Sequence, residues 1–399
     1  MEGPLTGVKV LEVANWLAAP SGCALLADFG ADVVKVEPPD GDALRGYLYN
    51  TAGLQPAVNF PFELCNRGKR GITLDLRRPA ARDVIYDLVK QADVFVTNLL
   101  PRRRERYGVT YQELLPHRPD LIYVSVTGYG STGPDRDRPG YDYAAFWARS
   151  GIMGLLGEPD DPPPPQRPAM GDHTTSLLMA GSVAMALLHR GRTGHGQMVD
   201  LSLQNTGLWV LAADVQAALM GADPVKVPRT AVPNPLWNHY RTQDGRWIML
   251  VMLVSDMYWP NLCRAISLPG LEKDPRFDSF LNRYQSREAL IALLDGVFAQ
   301  RPLAQWHGPL DENGIIWAPA LTLREAVEDP QTVARQPFAT ITHPSAGEIQ
   351  LVDTPVKFSE GGVGVRGPAP ELGQHTEEVL LELGYTWDDI GKAREQGLL

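Results

Sequence analysis

The sequence predicts an α/β protein: a Rossmann-like large domain on a parallel sheet, with a smaller α/β domain between its two parts. Three observations lead there. β-Branched runs alternate with runs of helical period from Val8 to Gly130. A proline-spaced stretch, Ala222 to Pro235, reads as a linker. Short strands and a helix then return after Pro337.

In order, "GVKVLEV" reads as a strand and "SGCALLADFG" as a helix closed by Gly30, with "ADVVKVE" as the next strand. "GITLDL", "ARDVIYDLVKQADVFVTN" and "DLIYVSVTGYG" repeat the alternation, the pattern of a parallel sheet covered by helices. Such a sheet carries ligands in loops beyond the carboxyl ends of its strands. Those loops hold Trp16 to Pro20, Asn98 to Arg106 and Thr127 to Tyr141.

Pro162 to Pro165 form an extended surface loop leading into "MGDHTTSLLMAGSVAMALLHR", an apolar helix over Met170 to Arg190. "GHGQMVDLSLQNTGLWVLAADVQAALMG" adds a short strand and a helix. "YRTQDGRWIML" is a hairpin turning at Asp244-Gly245, with two or three helices behind it. The last helix is "GQHTEEVLLELG". The expected domains are residues 1–222 (large, N-terminal part), 223–336 (linker and small domain) and 337–399 (returning to the large domain).

The 399 residues, 44% hydrophobic and 21% charged, suffice for a substantial core and exclude disorder and coiled coil. The N-terminus lacks a signal-peptide pattern. The apolar runs are too short for a bilayer or are interrupted by Asp, so a cytoplasmic protein with no membrane partner is expected. A net charge of -10 disfavours nucleic acid. Three scattered cysteines without a C-x-x-C pair are expected to be buried thiols. The histidines lack metal-ligand spacing, so no metal is expected. Basic residues cluster at Arg67, Lys69 and Arg70, at Arg77 and Arg78, and at Arg102, Arg103, Arg104 and Arg106. They fit either a solvated face or a site for a small polyanion.

Gly128 to Gly133 and Gly362 to Gly367 both match G-x-G-x-x-G. The dinucleotide fingerprint needs a helix directly behind the loop, and Pro134 and Pro368 stand there instead. Both read as turns, and no NAD is expected. No G-x-S-x-G elbow or Walker loop is present.

Asp172, behind Gly171 at the start of the apolar helix, has two readings. Asp is a favoured N-cap residue. The same position presents an ionised carboxylate, of reference pKa about 3.9, beside a glycine with no side chain to block a substrate.

A resemblance carries the reading further. "LADFGADVVKVEPPDGD", "CNRGKRGITLDLRRP", "QADVFVTNLLPRRRERYGV", "LIYVSVTGYGSTGPDRDRPGYD", "RPAMGDHTTSLLMAGSVAMALLHRGRTGHGQMVDLSL" and "PAPELGQHTEEVL" together resemble the family III coenzyme A transferases across the chain. The resemblance implies an interlocked homodimer, with each active site between the large domain of one chain and the small domain of its partner. It implies that Asp172 is the nucleophile, forming an aspartyl anhydride with an acyl-CoA donor and then an aspartyl-CoA thioester that a carboxylic acid acceptor resolves. CoA is a substrate, with no metal or NAD. Its adenosine is implied near Leu74, Asp75, Leu76 and Arg77, and its phosphates at Arg106. Asn98 and Leu99 flank it, and Trp16, Leu17 and Ala18 lie near the thioester, with Arg102 to Arg104 left as solvated.

The same fold hosts α-methylacyl-CoA racemases, which use a G-H-D histidine. This chain has Gly140-Tyr141-Asp142, and Ser255 stands where a glutamate orients the racemase site. Both departures favour transfer, with Tyr141 as an aromatic wall or a plain core residue. Trp16, Leu17 and Met252 to Val254 either favour a larger, apolar acyl group or simply pack the core. A racemase/epimerase and a non-catalytic CoA-binding protein are the alternatives.

Overall fold

A computed structural model describes residues 2–47 and 58–399. They fall into two compact units, one of residues 2–47, 58–153, 165–222 and 336–399, the other of 154–164 and 223–335.

The first unit is built on six parallel strands. They are β1 (Lys9–Val13), β2 (Asp32–Glu37), β3 (Arg70–Thr73), β4 (Val94–Thr97), β5 (Ile122–Thr127) and β6 (Gln197–Ser202), in the order β3-β2-β1-β4-β5-β6. The order reverses between β1 and β4, where Val10 pairs Val33 on one side and Val94 on the other. Loops leaving β1 and β4 diverge there and open a crevice.

The helices are α1 (Ala18–Asp28), α2 (Phe60–Asn66), α3 (Ala81–Gln91), α4 (Pro101–Tyr107), two short turns α5 (Tyr111–Leu114) and α6 (Ile152–Leu155), then α7 (Met170–Thr193), α8 (Leu203–Val210) and α9 (Ala212–Leu219). Strand residues alternate between two buried faces. Val10, Val96 and Val124 pack with Leu26 of α1 and Met179 and Val183 of α7. Leu11, Phe95 and Tyr123 pack with Ile85 and Val89 of α3 and with Val379 and Leu380 near the C-terminus. Burial on both faces is why these strands read as continuous apolar runs.

The C-terminal segment joins the β3 edge. The His375 N–H donates to the Gly71 carbonyl at 2.9 Å, and the Asp75 N–H donates to the Leu398 carbonyl at 2.7 Å. Its helix at Thr376–Glu382 is followed by a second at Trp387–Glu395, beyond the predicted last helix. Thr386 and Asp389 form a capping box there, and the polar composition of the segment had masked its apolar stripe.

The second unit holds an antiparallel sheet of β7 (Trp237–Arg241), β8 (Trp247–Val251) and β9 (Trp317–Pro319). The β7–β8 turn falls at Gly245, where φ is +79°. Six helices lie between Ser255 and Arg335, not two or three. Four of them are six residues long, too short to display a helical period. Met252 is in this unit's core, while Leu253 and Val254 are exposed. Met252 therefore packs the unit and is no wall for an acyl group. No described helix is long and apolar enough to cross a membrane.

Candidate active site

The loops after β1 and β4 are stitched together. The Asn15 N–H donates to Asn98 Oδ1 at 3.1 Å, and Asn98 Nδ2 donates to the Asn15 carbonyl at 2.6 Å. Beyond them lies a cavity of about 440 Å³ lined by Trp16, Leu17, Ala18, Asn98, Leu99, Tyr141 and Asp172. A second, of about 290 Å³, is lined by Leu74, Asp75, Leu76 and Arg77. Asn15, Leu99 and Arg103 line both, so the two run together across the switch point.

The structure brings every sequence-predicted site residue to these walls except Arg106. That side chain lies outside both linings, and its carbonyl accepts from Arg82 Nη2 at 2.8 Å. Arg103, on the same helix, borders both cavities instead. Tyr141 is 61% exposed, so it is no core residue, and its ring meets Trp16 edge-on with centroids 5.7 Å apart.

Asp172 is not an N-cap. Helix α7 begins at Met170, its N-cap is Ala169 in the left-handed region at φ +65°, and no side chain of its own caps it. A neighbouring loop supplies the acceptor: Asp142 Oδ1 takes the Gly171 N–H at 3.1 Å. Asp172 thus sits inside the first turn, where the helix dipole favours its anion. Gly171 also has a different reason from the predicted one. A Cβ there would lie 2.3 Å from Asp142 Oδ1 and 2.3 Å from Phe146 Cγ. Close packing against Asp142 and Phe146 demands the glycine.

Burial decides the electrostatics. Asp172 is 9% exposed. Among the described residues no cation pairs with its carboxyl and no donor is bonded to it. Burial, then the like charge of Asp142, pushes its pKa up to about 7. Asp172 is therefore partly protonated at neutral pH rather than ionised without tuning. Asp142 is itself pushed up to about 6 by burial, which outweighs the amides of Gly171 and Ala169 and the Trp147 indole. His173 is lowered by burial and by the Arg67 charge, which keeps its imidazole neutral.

The first basic cluster is neither a solvated face nor an anion site. Arg67 pairs with Asp28 at 2.7 Å, Lys69 with Glu12 at 2.6 Å, and Arg70 with Asp32 at 2.7 Å. The carboxylates come from α1, β1 and β2, far away in sequence. Arg104 is likewise buried, donating to the Leu99 carbonyl and to Ser125 Oγ, while Arg102 is exposed beside Asp137 at 3.6 Å. All three cysteines are buried thiols. Behind Gly128 to Gly133 come turns and no helix.

Sequence reasoning missed the roles of Asp142 and Arg103, and passed over Asp42, whose carboxylate holds the Trp16 N–H at 3.1 Å. Asp142 had a signal, a carboxylate directly behind Tyr141 in a predicted site loop. Asp42 had none.

The reversed sheet order, the joined cavities across the switch point and the buried carboxyl at their edge define a doubly wound α/β protein with an enzyme-like crevice. The model of CoA-transferase family III matches residues 5–376. The chain belongs to that family and is a transferase. It is 30% identical to the (R)-2-hydroxy-4-methylpentanoate CoA-transferase of Clostridioides difficile, over 98% of each chain. It is 32% identical to the cinnamoyl-CoA:phenyllactate CoA-transferase of Clostridium sporogenes, over 96% of this chain and 94% of that one. A crystal structure of a CAIB/BAIF family protein from Brucella suis superposes with a TM-score of 0.82 at 32% identity, covering 96% of this chain and 100% of the other.

Proposed function

We propose that the protein moves CoA from an acyl-CoA donor to a carboxylic acid acceptor through covalent intermediates on Asp172. The observation that carries this reading is a buried carboxyl, with no partner among the described residues, lining the 440 Å³ cavity at the sheet's switch point. A carboxylate without hydrogen bonds or counter-ion is a stronger nucleophile than a solvated one.

The Asp172 oxygen attacks the thioester carbonyl; a C–O bond forms, the C–S bond breaks and CoA thiolate leaves. The thiolate then attacks the aspartyl carbonyl of the mixed anhydride, releasing the donor's acid and leaving an Asp172–CoA thioester. The acceptor carboxylate attacks that thioester and expels the thiolate, which attacks the acceptor's acyl carbonyl and frees Asp172. Every step exchanges one activated acyl bond for another, so the chemistry calls for neither a metal nor NAD.

The CoA adenosine is assigned to the cavity of Leu74, Asp75, Leu76 and Arg77. Its phosphates are assigned to Arg103, which borders both cavities, in place of Arg106, and its pantetheine arm to the Asn98 and Leu99 wall. Arginine suits phosphate through its planar, paired donors. The large domain of residues 1–222 and 337–399, apart from the 154–164 stretch that packs in the second unit, carries this site, and 223–336 form the linker and small domain. We further propose a cytoplasmic, interlocked homodimer. Exposed apolar side chains on α7 to α9, among them Met185, Leu188, Trp209 and Leu219, support a covered face. A monomeric mass in solution overturns it.

The test offers a panel of acyl-CoAs with hydroxylamine and searches Asp172 by mass spectrometry. A hydroxamate on Asp172 is expected, and its absence with every accepted donor sinks the reading. Exchange of the α-proton in deuterated water without acyl transfer is the result that supports racemisation.

A further inference from the structure

Trp16 stands in the left-handed backbone region at φ +63°, a conformation bulky residues adopt only where their surroundings hold them. Asp42 holds it. One carboxylate oxygen accepts the Trp16 N–H at 3.1 Å and the Leu44 N–H at 3.0 Å; the other accepts Lys35 Nζ at 2.9 Å. Lys35 also donates to Glu12 at 3.0 Å and to the Ala14 carbonyl at 2.9 Å. The Asp42 N–H donates to Glu37 at 2.9 Å. Glu12, Lys35, Glu37 and Asp42 are all buried. A buried charge network of this kind adds little net stability over apolar packing. What it supplies here is position, since it spans the loops after β1 and β2 and ends on the Trp16 amide.

The indole so placed meets Tyr47 edge-on at 5.8 Å and Tyr141 edge-on at 5.7 Å. With Leu17 it rests on the apolar cluster of Leu44, Phe62, Cys65 and Ala369. Trp16, Leu17, Tyr141 and Asp172 line one cavity, so an acyl group presented to Asp172 meets an aromatic and aliphatic wall. Such a wall rewards apolar bulk and offers nothing to a short polar acyl chain.

We propose that Trp16 is the specificity-determining residue of the acyl pocket and Asp42 the positioning residue that sets it. The site then takes donors whose acyl group carries an aromatic or branched aliphatic side chain in preference to short ones. This rests on the reading that acyl groups are delivered to Asp172, and its test is made independent of turnover.

Dissociation constants of 3-phenylpropanoyl-CoA, 4-methylpentanoyl-CoA, acetyl-CoA and free CoA are measured by calorimetry in an Asp172→Asn background, where no transfer occurs. The parent is expected to bind both larger donors about tenfold or more tighter than acetyl-CoA. Trp16→Gly, which suits a positive φ, removes most of that preference and leaves acetyl-CoA and free CoA within about twofold. Trp16→Phe restores it. Asp42→Glu, which keeps a charge beside Lys35 but displaces the carboxylate from the Trp16 amide, loses the preference as Trp16→Gly does and adds no further loss on top of it. Asp42→Ser is the second variant, and thermal unfolding confirms that each protein folds.

A parent without preference, an intact preference in Trp16→Gly, or an equal loss on all four ligands overturns the role of Trp16. An intact preference in a folded Asp42 variant overturns that of Asp42. Hydroxamate labelling of Asp172 in the unmodified protein reports separately on the transferase reading, so the two can fail independently.

Discussion

The Gly171 amide donates to the Asp142 carboxylate at 3.1 Å, so the acceptor that a helix ordinarily carries at its own N-cap comes here from another loop. The bond sets Asp142 beside the first turn of α7, where its charge bears on Asp172. One contact therefore ends the helix and tunes the candidate nucleophile.

The nucleophile must be ionised, and burial plus Asp142 push Asp172 up to about 7. Log kcat/KM should therefore rise with pH through an apparent pKa near that value and level off above it. Asp142→Asn removes the like charge and lowers that pKa, while burial keeps it above the ordinary carboxylate range. The pH–rate profiles of the two proteins check this; identical midpoints would rule out the coupling.

The same shift bears on stability. Asp172 binds its proton more tightly folded than unfolded, so its contribution is fully present below about pH 4, the unfolded pKa. It is lost as pH rises through about 7. Asp172→Asn, which cannot ionise, should unfold at higher denaturant than wild type at pH 8, by up to roughly 4 kcal/mol. The difference should shrink towards acid pH. Urea unfolding at several pH values measures it, and the opposite slope contradicts the assignment.

Gly171→Ala places a methyl 2.3 Å from both Asp142 Oδ1 and Phe146 Cγ, inside contact distance. Asp142 or the turn must move, costing about 1–3 kcal/mol. Because displacement of Asp142 also weakens its effect on Asp172, the apparent pKa of activity should fall with the unfolding midpoint. A stable variant with an unchanged profile would show that this packing does not matter.

Arg103 borders both cavities and Arg106 neither. Arg103→Ala should weaken free CoA about tenfold, the size of a lost charged hydrogen bond, with the loss smaller at high salt. Arg106→Ala should change affinity far less. Calorimetric titration of CoA separates the two, and a dominant effect of Arg106 would restore the assignment made from the family pattern.

The central strands of the large sheet were legible because β1, β2, β4 and β5 are buried on both faces and read as runs rich in β-branched residues, as "VKVLEV" and "LIYVSVT" do. The Asp244-Gly245 hairpin was legible because glycine admits the positive φ that the turn requires. The family pattern singled out Asp172 among the chain's many carboxylates. Short helices after Ser255 were not legible, since six residues hold under two turns. The basic run of Arg67, Lys69 and Arg70 misled because the partners of those cations, Asp28, Glu12 and Asp32, lie on other elements.

By itself the sequence determined the α/β class, the loops that carry the crevice and the carboxylate at the head of α7. These depend on patterns within a few residues of one another. Only the tertiary structure decided that Asp142 caps that helix, that Asp172 is hard to ionise, that Arg103 rather than Arg106 faces the cavities, and that Asp42 holds Trp16. Each is a matter of distance and desolvation between groups far apart along the chain, and sequence spacing encodes neither.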